Sequence, residues 1–121
     1  MKLRNRIFKI VSLIPRGSVT TYKAIADAVK IKNSRLIGSI LHTNTDPKNV
    51  PCHRVIRSDG GIADGYAFGG APAQRKKLEN EDITFTNDRV AVRKHFWQPE
   101  RFSNSPQLPQ SAPELTRPYR D

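Results

Sequence analysis

Val50-Pro51-Cys52-His53-Arg54-Val55 is the stretch on which the reading of this chain turns. Cys52 is the single cysteine among 121 residues, and His53 follows it directly. A thiol is a poor nucleophile until it loses its proton, which in an unperturbed cysteine happens near a pH of about 8.5. A neighbouring imidazole that can take the proton lowers that barrier. A lone cysteine with histidine and acidic residues elsewhere is therefore a candidate nucleophile. A lone cysteine buried as a small hydrophobe is the competing reading of the same two residues.

Upstream of this hexapeptide the chain reads as short helices. Leu3, Ile7, Ile10, Val11 and Ile14 are spaced by three and four, one apolar face of a helix over residues 3–14 that Pro15 and Gly17 end. Thr20 or Thr21 can cap a second helix over 22–30, with Ile25, Ala26 and Val29 inward. Asn33 or Ser34 can cap a third over 35–43, with Leu36, Ile37, Ile40 and Leu41 inward. Two short helices joined by a tight polar turn make a helix-turn-helix. A polar loop, residues 42–49, then leads to Val50-Pro51.

Downstream, Val55-Ile56 and Gly61-Ile62 flank Ser58-Asp59-Gly60, which predicts a short hairpin. Residues 60–70 contain five glycines. Such a run is either a plain surface loop or a loop whose main chain closes on a ligand. Pro72 predicts the start of a fourth helix over 72–80, with the proline at its first position. Ile83, Phe85, Val90 and Val92 alternate around Asn87-Asp88 and predict a second small hairpin. Residues 99–121 hold five of the nine prolines and no apolar periodicity. The chain is thus expected to be mostly α with small β-hairpins: one domain over residues 1–94 and a Pro-rich extension over 95–121, extended or disordered.

The net charge of +10 is unevenly placed. Residues 1–57 carry twelve Lys/Arg against Asp27 and Asp46, whereas residues 58–121 carry nine of each sign. Lys/Arg-rich surfaces bind polyanions through counterion release, so the segregation points to nucleic acid at the helical half. No apolar run approaches the roughly 20 residues of a membrane span, and no signal peptide is read at the basic start. One cysteine allows no internal disulfide and no cysteine-based zinc site, so no metal is expected.

Pro51-Cys52-His53-Arg54-Val55 resembles the active-site signature of the O6-alkylguanine-DNA alkyltransferases, the methylated-DNA–protein-cysteine methyltransferases. The resemblance runs from about Ile7 to about Ile83 and covers that family's DNA-binding, catalytic domain, a winged helix-turn-helix-like fold. It implies roles residue by residue. Cys52 is the alkyl acceptor, His53 its base through a bridging water, and Glu81 the carboxylate that orients the imidazole, with Glu79 a nearby competitor. Tyr22, in Thr20-Thr21-Tyr22, matches the tyrosine that helps rotate the damaged nucleotide out of the duplex and hydrogen-bonds the leaving base. Arg35 matches the arginine that fills the gap in the base stack. Gly38 and Ser39 lie on the outer side of the helix expected in the minor groove, and Arg54 joins the expected DNA-binding set. Val55, Ile62, Tyr66 and Ala67 are expected to line the guanine pocket, with Cys52 at its floor. Asn44 is expected to organise the turn before the site.

Two departures stand out. The family's Tyr-Ser-Gly-Gly becomes Tyr66-Ala67-Phe68-Gly69-Gly70, and its closing Glu-Gly becomes Glu81-Asp82. The segment through His95-Phe96-Trp97 resembles the ending of the alkyltransferase-like proteins, relatives that lack the nucleophilic cysteine. The resemblance implies a monomeric, cytoplasmic protein, nucleoid-associated in a prokaryote, that uses no cofactor and acts on double-stranded DNA containing O6-alkylguanine. A non-catalytic lesion sensor handing damage to an excision-repair protein is the alternative. A helix-turn-helix regulator with an incidental cysteine leaves the Cys-His-Arg-Val string unexplained.

Overall fold

The computed structural model describes residues 2–62 and 66–100. Helix α1, Leu3–Ser12, turns Ile7, Ile10 and Val11 inward. It stops two residues short of the sequence expectation because Leu13 and Ile14 close the last turn onto Ile10 and Val11 carbonyls, ahead of Pro15. Strand β1, Thr20–Thr21, runs straight into α2, Tyr22–Ala28. Thr21 is the cap: its hydroxyl accepts from the Ala24 N–H at 3.0 Å. Such a cap is worth about 1 kcal/mol. Helix α3, Ser34–Leu41, is capped by Asn33, whose side chain accepts from the Arg35 N–H at 3.0 Å. Helix α2 packs on α3, and α1 also meets α3. Of the four residues expected inward on α3, Ile37 and Leu41 are buried, while Leu36 is 38 % exposed.

Val55–Ile56 forms β2, and here the structure corrects the expected hairpin. β2 pairs in parallel with β1, Thr20 opposite Val55 and Thr21 opposite Ile56. Residues 57–61 close a turn through Arg57 N–H to the Gly61 carbonyl, but Gly61-Ile62 forms no strand. Gly60 in that turn has φ +87°, and a Cβ there would stand 2.6 Å from the Val90 carbonyl oxygen, so the position takes only glycine.

Helix α4, Gly70–Asn80, begins two residues before the expected start, so Pro72 sits inside the first turn, where its missing N–H costs no bond. The second hairpin is present as β3, Phe85–Thr86, and β4, Arg89–Val90. Val92, read from the alternation as strand, instead opens a short helix α5, Val92–His95.

Residues 95–97, the start of the expected extension, run beside Val19. Phe96 bridges Val19 in parallel, and Val19 exchanges bonds with the His95 carbonyl at 2.9 Å and the Trp97 N–H at 2.7 Å. The His95 ring accepts from the Thr84 N–H through Nε2 at 2.9 Å, which leaves Nδ1–H to donate to the Gly17 carbonyl at 3.2 Å. Most of the expected extension, residues 101–121, lies outside the described residues.

Two apolar clusters result. The larger joins α1, α2 and α3 to Cys52, Val55 and Tyr66, with Tyr22, Phe68 and Trp97 packed against it. The smaller joins Val19, Ile56, Leu78, Ile83 and Val90. Each fully buried Ile or Leu contributes about 1.5–3 kcal/mol by leaving water. The Cys52 segment is thus clamped between two cores.

Candidate active site and nucleic-acid interface

Cys52, His53 and Arg54 form a single 3₁₀ turn between the polar loop and β2. Asn44 sets the approach to it. Its Oδ1 accepts from the Asp46 N–H at 2.9 Å, and its Nδ2 donates to the Val50 carbonyl at 2.8 Å and to Cys52 Sγ at 3.4 Å. Cys52 keeps 7 % of its surface exposed. The burial pushes its thiol pKa up, while the Asn44 bond and the Lys77 charge pull it down by less.

His53 is 6 % exposed, and its Nε2 lies 3.1 Å from Glu81 Oε2. An ionised carboxylate only accepts hydrogen bonds, so Nε2 carries the proton and Nδ1 holds a free lone pair. Nδ1 is itself buried with no hydrogen-bond partner among the described residues. Burial depresses the His53 pKa despite the opposing pull of Glu81, so the imidazole is neutral and ready to accept a proton at Nδ1. Burial would raise the Glu81 pKa, but bonds from Arg54 and His53 outweigh it and hold the carboxylate ionised.

Arg54 stands elsewhere than the sequence reading put it. Its Nε and Nη2 fork onto the two Glu81 oxygens at 2.9 and 2.6 Å, and Nη1 donates to the Ile14 carbonyl at 2.7 Å. With its side chain 15 % exposed, the guanidinium is spent inside the protein and is not presented to DNA. Charge-assisted bidentate pairs of this kind are strong and directional. Arg54 fixes the carboxylate that fixes the histidine. Glu79, the competitor, pairs with Arg75 at the surface.

The expected pocket lining divides. Val55 and Tyr66 share the cluster of Cys52, and Tyr22 packs on it. Ile62 packs on the other cluster, because the turn after β2 carries it past the Cys52 side. Ala67 is exposed. Cys52 lies within the core cluster with 7 % of its surface exposed. Residues 63–65 of the glycine run are outside the described residues. Tyr66 is held by Lys77, whose ammonium donates to the phenol oxygen at 2.6 Å.

A second feature opens beside Tyr22. Tyr22, Ser34, Arg35, Gly38, Ser39, His42 and Arg57 line a groove of about 460 Å³ with no carboxylate in its walls among the described residues. Gly38 faces the Tyr22 ring, and a Cβ there would rest at 3.7 Å, an ordinary contact. Burial and the nearby Cys52 sulfur raise the Tyr22 pKa, with Arg57 opposing, so its hydroxyl keeps its proton and is a donor. Tyr22 therefore touches both the groove and the cluster that holds the sulfur.

Sequence reasoning missed Gln74 and Arg57. Gln74 is 1 % exposed, and its Nε2 donates to the His53 and Val55 carbonyls at 2.9 and 3.1 Å, holding the 3₁₀ turn from behind. Its signal was present: Gln74 and Leu78 are four apart on one face of α4, and Glu81 follows three residues later at its C-cap.

Comparisons with known proteins bear on the fold and the family. A family model described as "6-O-methylguanine DNA methyltransferase, DNA binding domain" matches residues 2–83. A methylated-DNA–protein-cysteine methyltransferase of Candida glabrata is 44% identical over 93 residues, 76% of this chain and 44% of that protein. A DNA base-flipping protein of Vibrio parahaemolyticus is 33% identical over 96 residues, 78% of this chain and 94% of that one. The crystal structure of S. pombe Atl1 in complex with damaged DNA containing O6-carboxymethylguanine matches at a TM-score of 0.68 and 28% identity, over 82% of this chain and 100% of that one. The chain spans less than half the length of the Candida relative. With the family model over most of its length and the relatives on either side of it, this chain belongs to the 6-O-methylguanine DNA methyltransferase DNA-binding-domain family.

Proposed function

We propose that this chain extrudes an O6-alkylguanine from duplex DNA and accepts its alkyl group on Cys52, once per molecule. The observation that carries the reading is the neutral His53, with Nε2–H committed to Glu81 and the buried Nδ1 left without a partner beside Cys52 in the chain. The Cys52 proton passes to His53 Nδ1, through a water where the gap requires one. The thiolate attacks the alkyl carbon in line, the S–C bond forms, and the C–O6 bond breaks with its electron pair going to guanine. Tyr22 O–H donates to the departing base, which leaves as neutral guanine once protonated. The thioether has no leaving group that water can displace, so the reaction ends there. The residues call for no cofactor, and one chain suffices, so the protein acts as a monomer.

Extruding the nucleotide costs a few kcal/mol, and Arg35 in the vacated place offsets part of that. The cation-lined groove and the positive first half of the chain supply the DNA face.

A second reading has its own support. Atl1 and the base-flipping protein are covered almost end to end by the match, and Cys52 is nearly closed off. The chain would then bind and display the lesion without reacting, for an excision-repair partner. Intact-mass analysis after equimolar incubation with a duplex carrying one O6-methylguanine separates the two. Transfer adds one methyl, located on Cys52 and absent from Cys52→Ala. Tight binding with unchanged mass supports the sensor and sinks the transferase.

A further inference from the structure

Among the described residues, Arg57 is the one member of the groove lining contributed from beyond the Cys52 turn; the others come from α2, α3 and His42 just after it. Its backbone is fixed on both sides, with its N–H on the Gly61 carbonyl at 3.0 Å and its carbonyl accepting from Gly60 at 2.9 Å. The side chain folds back over Gly61. A Cβ on Gly61 would lie 2.5 Å from Nη2 and 3.0 Å from Nε, so the bare glycine is what leaves room for the guanidinium.

That guanidinium is seated but not spent. Its ion pair with Asp59 is long, 3.8 Å, and its side chain is 58% exposed. Asp59 is meanwhile engaged by Arg89 at 3.3 Å and by the Gly61 N–H at 2.8 Å. Arg54, three residues earlier, gives every donor group to the interior. Arg57 thus differs from Arg54 in where its charge is available. Together with Arg35, it sets two guanidinium groups, from separate elements, in the groove that contains the Tyr22 ring. A planar fork of donors matches the oxygens of a phosphate. The charge also acts on Tyr22, opposing the burial that raises its pKa, which puts Arg57 on the Tyr22 side of the turn.

We propose that Arg57 binds a backbone phosphate of the DNA strand whose nucleotide Tyr22 and Arg35 displace, so that the groove grips that strand from two elements. This rests on the groove being the DNA face. A phosphate contact weakens binding uniformly across sequences, whereas a residue acting on the displaced base alters discrimination.

The test is the salt dependence of binding by the full chain to two duplexes of one sequence, with and without a single O6-methylguanine. Arg57→Gln is expected to weaken both about equally, by about tenfold, and to reduce the slope of log Kobs against log salt by about 0.9, the contribution of one phosphate. Arg57→Lys keeps the slope, because the charge remains. Thermal unfolding of both variants is expected to match wild type, since the side chain is 58% exposed and its ion pair with Asp59 is long. An unchanged slope in Arg57→Gln, or a loss confined to the damaged duplex, overturns the assignment while the DNA reading of the groove stands. Failure of the wild-type chain to bind either duplex overturns both.

Discussion

The turn holding Cys52 and the groove beside Tyr22 are built on opposite principles. Around Cys52 almost every polar group is committed. Asn44 bonds the sulfur and the Val50 carbonyl, Arg54 forks onto Glu81, Glu81 holds His53, and Gln74 secures two carbonyls. Among the described residues two buried atoms of this set are left over, Gln74 Oε1 and His53 Nδ1, and the nitrogen is the kind of atom a proton acceptor needs. The groove is the reverse: open, cationic, with Arg35 and Ser39 exposed. The difference teaches where each kind of work is done. Chemistry on a thiol needs groups that cannot wander, whereas gripping a duplex needs charge at a surface that water and salt also reach.

Substitutions can break that contrast, and the largest effect is expected at its centre. Cys52→Ala should abolish alkyl transfer while duplex affinity, measured by fluorescence anisotropy, stays within about twofold, since the proposed DNA face is the groove. Arg54→Met should come next. It leaves Glu81 buried without its counter-ion and is expected to cost about 3–5 kcal/mol in urea unfolding. Arg35→Gln, at the exposed start of α3, should change stability by less than about 0.5 kcal/mol. Asn44→Ala removes the side-chain bonds to the Val50 carbonyl, the Cys52 sulfur and the Asp46 N–H and should cost about 1–3 kcal/mol, and it should slow Cys52 alkylation by iodoacetamide, because the bond that favours the thiolate is gone. Thr21→Ala should cost about 1 kcal/mol and weaken duplex binding slightly, by loosening the start of the helix that carries Tyr22.

Acid provides a milder test of the same contrast. The His53 and Glu81 pKa values both lie below their ordinary values of 6.5 and 4.5. A depressed folded value means that the unfolded chain binds the proton more readily, so the stabilisation is present above the unfolded pKa and lost as pH falls. Urea midpoints should therefore decline as the solution is acidified below 6.5, and transfer should fail as His53 takes its proton, at a pH below that ordinary value. Duplex binding should fall less, because no carboxylate lines the groove.

Much of the helical half was legible from apolar spacing and caps: Ile7, Ile10, Val11, Ile25 and Ile37 are buried as their periodicity implied. What failed was long-range. Val55-Ile56 reads as half of a hairpin, but its partner, Thr20–Thr21, lies more than thirty residues away, and no local pattern announces a parallel pair. Val92 alternates like a strand and is helical, while His95 to Trp97 read as the start of a tail and close the sheet edge at Val19. At the site, the Cys-His string named the candidate reacting residues, but charge alone cannot say whether an arginine faces in or out. Arg54 and Arg57 look alike in sequence; one is consumed by Glu81 and the other stands in the groove.

The most direct test is a crystal structure of Cys52→Ala with a duplex containing O6-methylguanine. The account predicts the guanine turned out of the helix beside Tyr22, its methyl carbon facing residue 52, with Arg35 in the vacated stack. A lesion still stacked in the duplex, or a flipped base resting in the groove away from residue 52, would contradict it.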